Sequence, residues 1–545
     1  MHFKGASMSG TTPRRHPAFF SLSSLALIAP LCVLGAIIGT ELITTLGITT
    51  NTALIGALAG MALARLPLAM FSHYKSTHMQ NLAQSAISAA TFGAGNALLL
   101  PIGIPFVLGR MDLVGPMMLG VFLAMLVDGY LLYRMFDSEV FPAEAAWPPG
   151  VAAAEAIKAG DEGGRKGLVL LSGLGVGILG SIGVLSSIGL PAVPMSAFGV
   201  AFIGNIWALT MFGIGLLIRG YSTGYLTWLT PGGDLMKAYI PHGVMVGAGL
   251  VALIQVVLLM MKRDTAITGT RTPATEVRRT IVGGTAAYLV IAILMALLGG
   301  MVTEMSTAML IGFVIYAAFA ALIHELIVGL AAMHAGWFPA FAVALITLVI
   351  GMLIGFPAPA LCLLVGFSAA TGPAFADMGY DLKAGYMLRG YGTDPAFERE
   401  GRKQQMYAAM FAFVVAGVVV LFSYKGYFAA GKVAPVDRVY VATIKAGASW
   451  DVAKQLLIWA IPGALVQFLG GPKRQIGVLF ATGLLLLNPI AGWAVLVGVI
   501  LRTIWMRLTE GKRQSEMEVF AAGIIAGDAL YGFYDTVSRT FFPKK

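Results

Sequence analysis

Charge is what this sequence has least of. Asp, Glu, Lys and Arg make up 11% of its 545 residues, against roughly 25% in a soluble domain whose surface must face water. The shortfall runs along the whole chain, which excludes an ordinary soluble globular protein. Cysteine is nearly absent as well. Cys32 and Cys362 both lie in apolar stretches without a partner at metal-ligand spacing, which excludes a disulfide framework or a thiolate metal centre. No polar join is long enough to hold a nucleotide-binding cassette. The glycine string GLGVGILGSIG at 173–183 follows no strand, and no acidic residue stands at the distance a dinucleotide site needs. The string HELIV carries Val328 where a zinc peptidase helix needs its second histidine. No serine–histidine or paired-cysteine set offers other catalysis. The sequence therefore predicts no enzyme, no cofactor and no bound metal.

What is there is apolar. Hydrophobic residues are 58% of the chain and the mean hydropathy is +0.83. A helix needs about 20 mostly apolar residues to span a bilayer, and such runs recur with short joins between them. In lipid each backbone polar group must be satisfied within its own element. Continuous runs such as 281–300 lack the alternation of a β-barrel. The expected fold is an all-α polytopic membrane protein, a single transmembrane domain over 1–545 with about 14–16 segments. The runs fall at 21–40, 52–71, 80–99, 113–133, 167–188, 195–218, 241–261, 281–300, 306–333, 338–355, 358–377, 406–423, 452–470, 476–506 and 515–537. Several should be broken or re-entrant. Pro101 and Pro105 follow the third run, and Asn488, Pro489 and Gly492 interrupt the fourteenth, so these helices should kink or split. The longer polar joins are 134–166, 219–240, 379–405 and 424–451. Gly173, Gly177 and Gly180 share one helical face, which permits close approach of a neighbouring helix.

The net charge of +10 sits in joins beside apolar runs, which argues against a nucleic-acid partner and for the positive-inside pattern. The loop 262–279 holds Lys262, Arg263, Arg271, Arg278 and Arg279 against two acids, so it is expected in the cytoplasm. The same is expected of the segment 1–20 with Arg14 and Arg15, and of the join with Lys75. The joins 41–51, 189–196 and 301–308 lack Lys and Arg and are expected outside. One conflict follows. Arg507, Lys512 and Arg513 look cytoplasmic, as do Arg539, Lys544 and Lys545, with one span between them. Either 515–537 is a split hairpin or one cluster breaks the rule.

An ionisable residue within a span is costly and is a functional candidate by default. Those here are Arg65, Asp128, His324, Glu325 and Asp528, with His334 and Asp377 near span ends. Glu325, His324, Asp128 and Asp528 are candidates for proton coupling. Glu325 shares a helical face with the small residues Ala321 and Gly329, and His324 points about 100° away from it. Asn96, Gln84 and Asn205 with His334 and Glu155 are candidates for a substrate path, alongside Gln80 and Asn81. The plainer role of each such residue is an interhelical hydrogen bond or ion pair.

Several strings together resemble the oligopeptide transporter family, which includes the yellow stripe-like transporters. WPPGVAAAEAIKAGDEGG at 147–164 looks like a family join, FGIGLLIRGYSTGYL at 212–226 like a glycine-rich helix end, and DLKAGYMLRG at 381–390, followed by Gln404 and Gln405, like another join. AAGIIAGDALYG at 521–532 resembles a segment near the family's C-terminus, with Asp528 where glutamate is usual. Pro149 stands where an acid is usual, and the region after Glu325 lacks the Asn-Pro pattern of relatives. The resemblance spans 147–532 in order. It implies an all-helical fold with internal repeats, although no repeat is evident in the sequence itself. It also implies proton-coupled movement of small peptides, peptide derivatives or metal–chelate complexes. The alternative is a passive channel or exporter for small polar solutes, which an uncoupler would leave unaffected. The partners expected are a small-molecule or peptide substrate and the lipid bilayer of a cell membrane, the inner one in a Gram-negative cell. Assembly as a homo-oligomer is left open.

Overall fold

A computed structural model describes residues 16–47, 74–160, 165–182, 193–230, 233–261, 272–335, 340–447 and 450–541. The run 52–71 with Arg65, the basic stretch 262–271 and the segment with Arg14 and Arg15 lie outside the described residues. The described chain is helical throughout and forms no strand among those residues. In order it runs through α1 (Leu22–Thr45), α2 (Thr77–Leu108), α3 (Val114–Met135), α4 (Pro148–Gly160) and α5 (Arg165–Ser181). There follow α6 (Met195–Ile203), α7 (Ile206–Tyr225), α8 (Ile240–Met261), α9 (Ala274–Leu298), α10 (Thr307–Ala335) and α11 (Ala340–Ile354). The chain ends with α12 (Ala358–Ala370), α13 (Pro373–Leu388), α14 (Pro395–Ala429), α15 (Pro435–Ala446), α16 (Trp450–Arg474), α17 (Ile476–Leu485), α18 (Pro489–Leu508) and α19 (Gln514–Phe541). Nine helices among the described residues are long and apolar enough to cross a membrane. Val282, Ile311, Phe319, Leu457, Phe468 and Ile500 stand exposed on outer surfaces, as lipid-facing side chains do. This is an all-α polytopic membrane protein.

The count of full-length spans is lower than the hydropathy runs predict partly because several runs are pairs of short helices. The fourteenth run divides at Asn488 into α17 and α18, as its Asn-Pro pair predicts. The Asn488 side chain accepts the Ala491 N–H at 3.0 Å and so starts α18. The run 195–218 divides in the same way at Asn205. The third run does not break at its prolines. A π-helical stretch, Gly93–Leu99, precedes Pro101 inside the continuous α2. Proline lacks the donor for the preceding turn and crowds its carbonyl, and the wider turn absorbs that clash without ending the helix. The supposed polar joins are largely helical too. Residues 379–388 belong to α13, which is buried almost throughout, and 424–451 contains the end of α14 and all of α15.

The helices contact one another reciprocally. Setting aside α9 and α11, the series α1–α8 corresponds to α10–α19, with α2 matching the pair α12 and α13. Helix α4 packs on α13 while α15 packs on α2, α5 packs along α19 while α8 packs along α16, and α6 meets α18 while α7 meets α17. Short strings mark the correspondence. Glu-Leu-Ile occurs at 41–43 in α1 and at 325–327 in α10, and Ile-Lys-Ala-Gly ends both α4 and α15 at 157–160 and 444–447. Asn205 is followed after fourteen residues by Arg219, and Asn488 after fourteen by Arg502. The chain is thus an internal repeat. Outer helices meet through glycine. A Cβ on Gly173 would stand 2.2 Å from the Phe520 carbonyl oxygen, and one on Gly215 2.4 Å from that of Phe480. Only a missing side chain allows such an approach.

Tertiary contacts gather the basic joins on one face. The Phe19 N–H donates to Gln404 Oε1 at 2.7 Å, Arg402 pairs with Asp137 at 3.2 Å, and Arg134 pairs with Glu276 at 2.7 Å. At the opposite ends of these helices Arg110 lies 3.6 Å from Glu304, and Gly47 abuts Pro435. The C-terminal conflict resolves against a split hairpin, because α19 is one unbroken helix. It starts beside Arg513, and Gly532 packs on Glu41 near the far end of α1. The end of α19, which carries Arg539, therefore points away from the basic face; Lys544 and Lys545 lie outside the described residues.

A buried candidate site at a helix break

The gap between α12 and α13 is built by Thr371, Gly372 and Pro373. Proline starts α13 at its first turn, where its missing N–H costs nothing, and Gly372 bends the chain with a φ of +109° that side chains rarely adopt. This bend frees backbone groups inside the protein, and buried backbone groups require partners. Two sequence candidates supply them. Asp128 of α3 accepts the Gly372 N–H on Oδ2 at 2.7 Å, which also sets a carboxyl at the N-terminus of α13, where negative charge is favoured. His324 of α10 brings Nδ1 to 2.5 Å from the Thr371 carbonyl oxygen and Nε2 to 3.0 Å from that of Ala340. A neutral ring has a single N–H, so it serves only one of these carbonyls at a time.

Glu325 reaches the same place by another side. The Tyr288 hydroxyl from α9 lies 2.6 Å from Asp128 Oδ1 and 2.7 Å from Glu325 Oε2. All three side chains are fully buried. Adjacent positions on a helix diverge, yet His324 and Glu325 act on one break because it is gripped from two directions. The chemistry of the trio follows from counting hydrogens. A phenol owns one hydrogen and donates it to one carboxylate, and the second short contact needs a hydrogen on the other carboxyl. Asp128 already accepts from Gly372, whereas Glu325 Oε1 has no partner among the described residues. The arrangement is suited to holding one exchangeable proton between two acids.

A second polar cluster runs from the basic face toward this break, between α2, α13 and α14. Ser88 donates to Asp377 Oδ1 at 2.5 Å, and Gln84 donates to Asp381 Oδ1 through a very short contact. Asn81 donates to Gln84 Oε1 at 2.8 Å. Gln405 donates to the Asp381 carbonyl at 2.7 Å and accepts from Arg389 Nη1 at 2.7 Å. Arg389 in turn forms a two-pronged pair with Glu398, with contacts of 2.8 and 3.0 Å. A fully buried charge pair of this kind is maintained only when its remaining donors and acceptors are also satisfied.

The other sequence candidates lie apart from the break. Asp528 accepts from the Ser181 hydroxyl and, at 2.7 Å, from the Ser196 N–H, joining α19 to α5 and α6. Asn205 accepts from the Trp207 and Ala208 N–H groups as the cap of α7. Asn96 is half-buried in the π-helical stretch, its Oδ1 without a partner among the described residues. Glu155 stands exposed on α4, paired with Lys158 at 3.0 Å. The backbone of His334 closes α10, and its side chain is outside the described residues. Sequence reasoning missed Tyr288, Asp381, Arg389 and Glu398. Tyr288 sits in an apolar run as an ordinary aromatic, and the other three fall in what reads as a polar join.

Among the described residues no group of three or more His, Cys, Asp or Glu side chains is placed to hold a metal ion. The family model described as OPT oligopeptide transporter protein matches residues 22–538. No curated protein gives a significant match. The family match covers nearly the whole chain, and the protein belongs to the oligopeptide transporter family, as a multi-pass membrane protein of transporter type.

Proposed function

We propose that this member of the oligopeptide transporter family is a secondary active, proton-coupled importer of small peptides, peptide derivatives or metal–chelate complexes. The observation that carries the proposal is the single Tyr288 hydroxyl between two buried carboxyls. Asp128, Tyr288 and Glu325 hold the exchangeable proton, and His324 supports the same break through Thr371. Intramembrane acids of this kind mark proton relays, and helix breaks at membrane depth recur at transporter sites. Asn96 and Gln84 are the amides nearest in kind to a substrate path. The chain lies in a cell membrane with its basic face cytoplasmic, the inner membrane in a Gram-negative cell.

The test uses purified protein in liposomes with an imposed pH gradient and labelled peptides, glutathione and metal–chelate complexes. Glu325→Gln keeps shape and hydrogen bonding but cannot cycle a proton. Uphill uptake should vanish in this variant while exchange of labelled for unlabelled substrate continues. Uphill uptake at the wild-type rate in a well-folded Gln variant would end the proposal.

A further inference from the structure

Asp377 and Asp381 stand one turn apart on α13 and so share a face. Each is 1% exposed. Each commits one carboxyl oxygen, Asp377 to Ser88 and Asp381 to Gln84, and each leaves its Oδ2 without a partner among the described residues. Two neighbouring groups are unsatisfied in the same way. Asn81 is fully buried and its Oδ1 has no partner among the described residues, although its amide is bonded to the very glutamine that holds Asp381. Tyr380, 5% exposed, has a hydroxyl without a partner among the described residues and stands one turn from Asp377 on α13. Buried polar atoms left in this state are rare and call for a ligand or an ion.

We propose that Asp377 and Asp381, together with Asn81 and Tyr380, form a binding site for a small alkali-metal cation, Na⁺ before K⁺. The four unpartnered atoms are all oxygen, the ligand type of hard cations. A single proton shared from one aspartate gives a hydrogen to one acceptor only, so of the four oxygens at least one acceptor stays unsatisfied. A bare cation can take lone pairs from several oxygens at once. Only two acids contribute, each with one oxygen already engaged, short of the six to eight oxygens that Ca²⁺ takes. The pair lies within α13, more than one turn past the Gly372 break. The proposal is independent of proton exchange at Glu325.

The experiment is equilibrium binding of radioactive Na⁺ to the purified full-length protein, paired with thermal unfolding in NaCl against choline chloride at equal ionic strength. Saturable binding of about one ion per chain is expected, with a saturable upward shift of Tm, since a ligand of the native state stabilises it. Asp377→Asn and Asp381→Asn should each weaken binding at least tenfold. Tyr380→Phe, which removes one oxygen and no charge, should weaken it less while keeping the fold, so the proposal stays testable if the aspartate variants do not fold. Glu325→Gln should bind Na⁺ as the wild type does, which separates this site from the proton site. No saturable Na⁺ binding, a Tm shift equal in choline, or Ca²⁺ or Mg²⁺ displacing Na⁺ at lower concentration would each overturn the assignment.

Discussion

The Asp128 carboxylate accepts the Gly372 N–H at 2.7 Å, a hydrogen bond that spans 244 residues and fastens α3 to the break between α12 and α13. Through Tyr288 the same carboxylate is joined to Glu325, so under the proposed function a change in protonation on α10 would be felt where the buried backbone is irregular. That coupling makes the phenol the most informative residue to change. Tyr288→Phe keeps the ring against Phe367 but leaves two buried carboxyls without their bridge. A lost buried hydrogen bond costs about 1–3 kcal/mol. We expect a lowered Tm and uphill uptake reduced at least tenfold, with an altered dependence on pH. An unchanged pH profile of uptake in proteoliposomes would separate Tyr288 from coupling.

Gly372→Ala probes the bend itself. A Cβ there would meet Val328 Cβ at 2.9 Å, and the φ of +109° is unfavourable for any side chain. Strain of this type costs on the order of 1–3 kcal/mol. The variant should unfold at lower temperature in detergent and lose transport. Equal Tm values for variant and wild type would show that the bend tolerates a side chain.

The pair of Arg389 and Glu398 is 0% and 1% exposed at its side chains. Removing Glu398 strands the buried Arg389 charge, at a cost of about 3–5 kcal/mol, whereas removing Arg389 leaves Glu398 with Arg402 at 3.1 Å. Glu398→Leu should therefore destabilise more than Arg389→Leu, while the double variant should recover much of the loss. Strict additivity in the thermal unfolding cycle would mean that the two charges are not coupled.

Topology can be read by labelling. Arg399 and Thr303 are exposed on opposite faces, and the native Cys32 and Cys362 are buried. In intact cells a cysteine replacing Thr303 should react with an impermeant maleimide, whereas one replacing Arg399 should react only after permeabilisation. The reverse pattern would invert the charge-based orientation.

Asp128, His324 and Glu325 were legible in the sequence because an ionisable residue inside an apolar run is conspicuous wherever the run folds. Their convergence on one break was not, since it depends on contacts between helices hundreds of residues apart. Asp381, Arg389 and Glu398 were hidden for the opposite reason. A local hydropathy average treats a buried helix whose polar groups satisfy one another as a solvated join. The repeat is not legible in the sequence because its traces are strings of three or four residues, such as Glu-Leu-Ile and Ile-Lys-Ala-Gly, set far apart. Only reciprocal packing, α4 on α13 and α15 on α2, gives them meaning. Pro101 marks an irregular turn in α2 rather than its end, because a π-helical turn absorbs the clash that otherwise breaks a helix.

The crossed packing of the halves also constrains how the chain is made. Gln84 on α2 finds its acceptor, Asp381, 297 residues later. At a synthesis rate of about 5–20 residues per second, that amide waits on the order of 15–60 s for its partner to leave the ribosome. Throughout that interval the polar face of α2, with Asn81, Gln84 and Ser88, lacks the surface that later covers it. The first half therefore needs shelter during membrane insertion, from the translocation machinery or a membrane chaperone. An isolated fragment ending at α8 is expected to be a substrate for quality-control proteolysis.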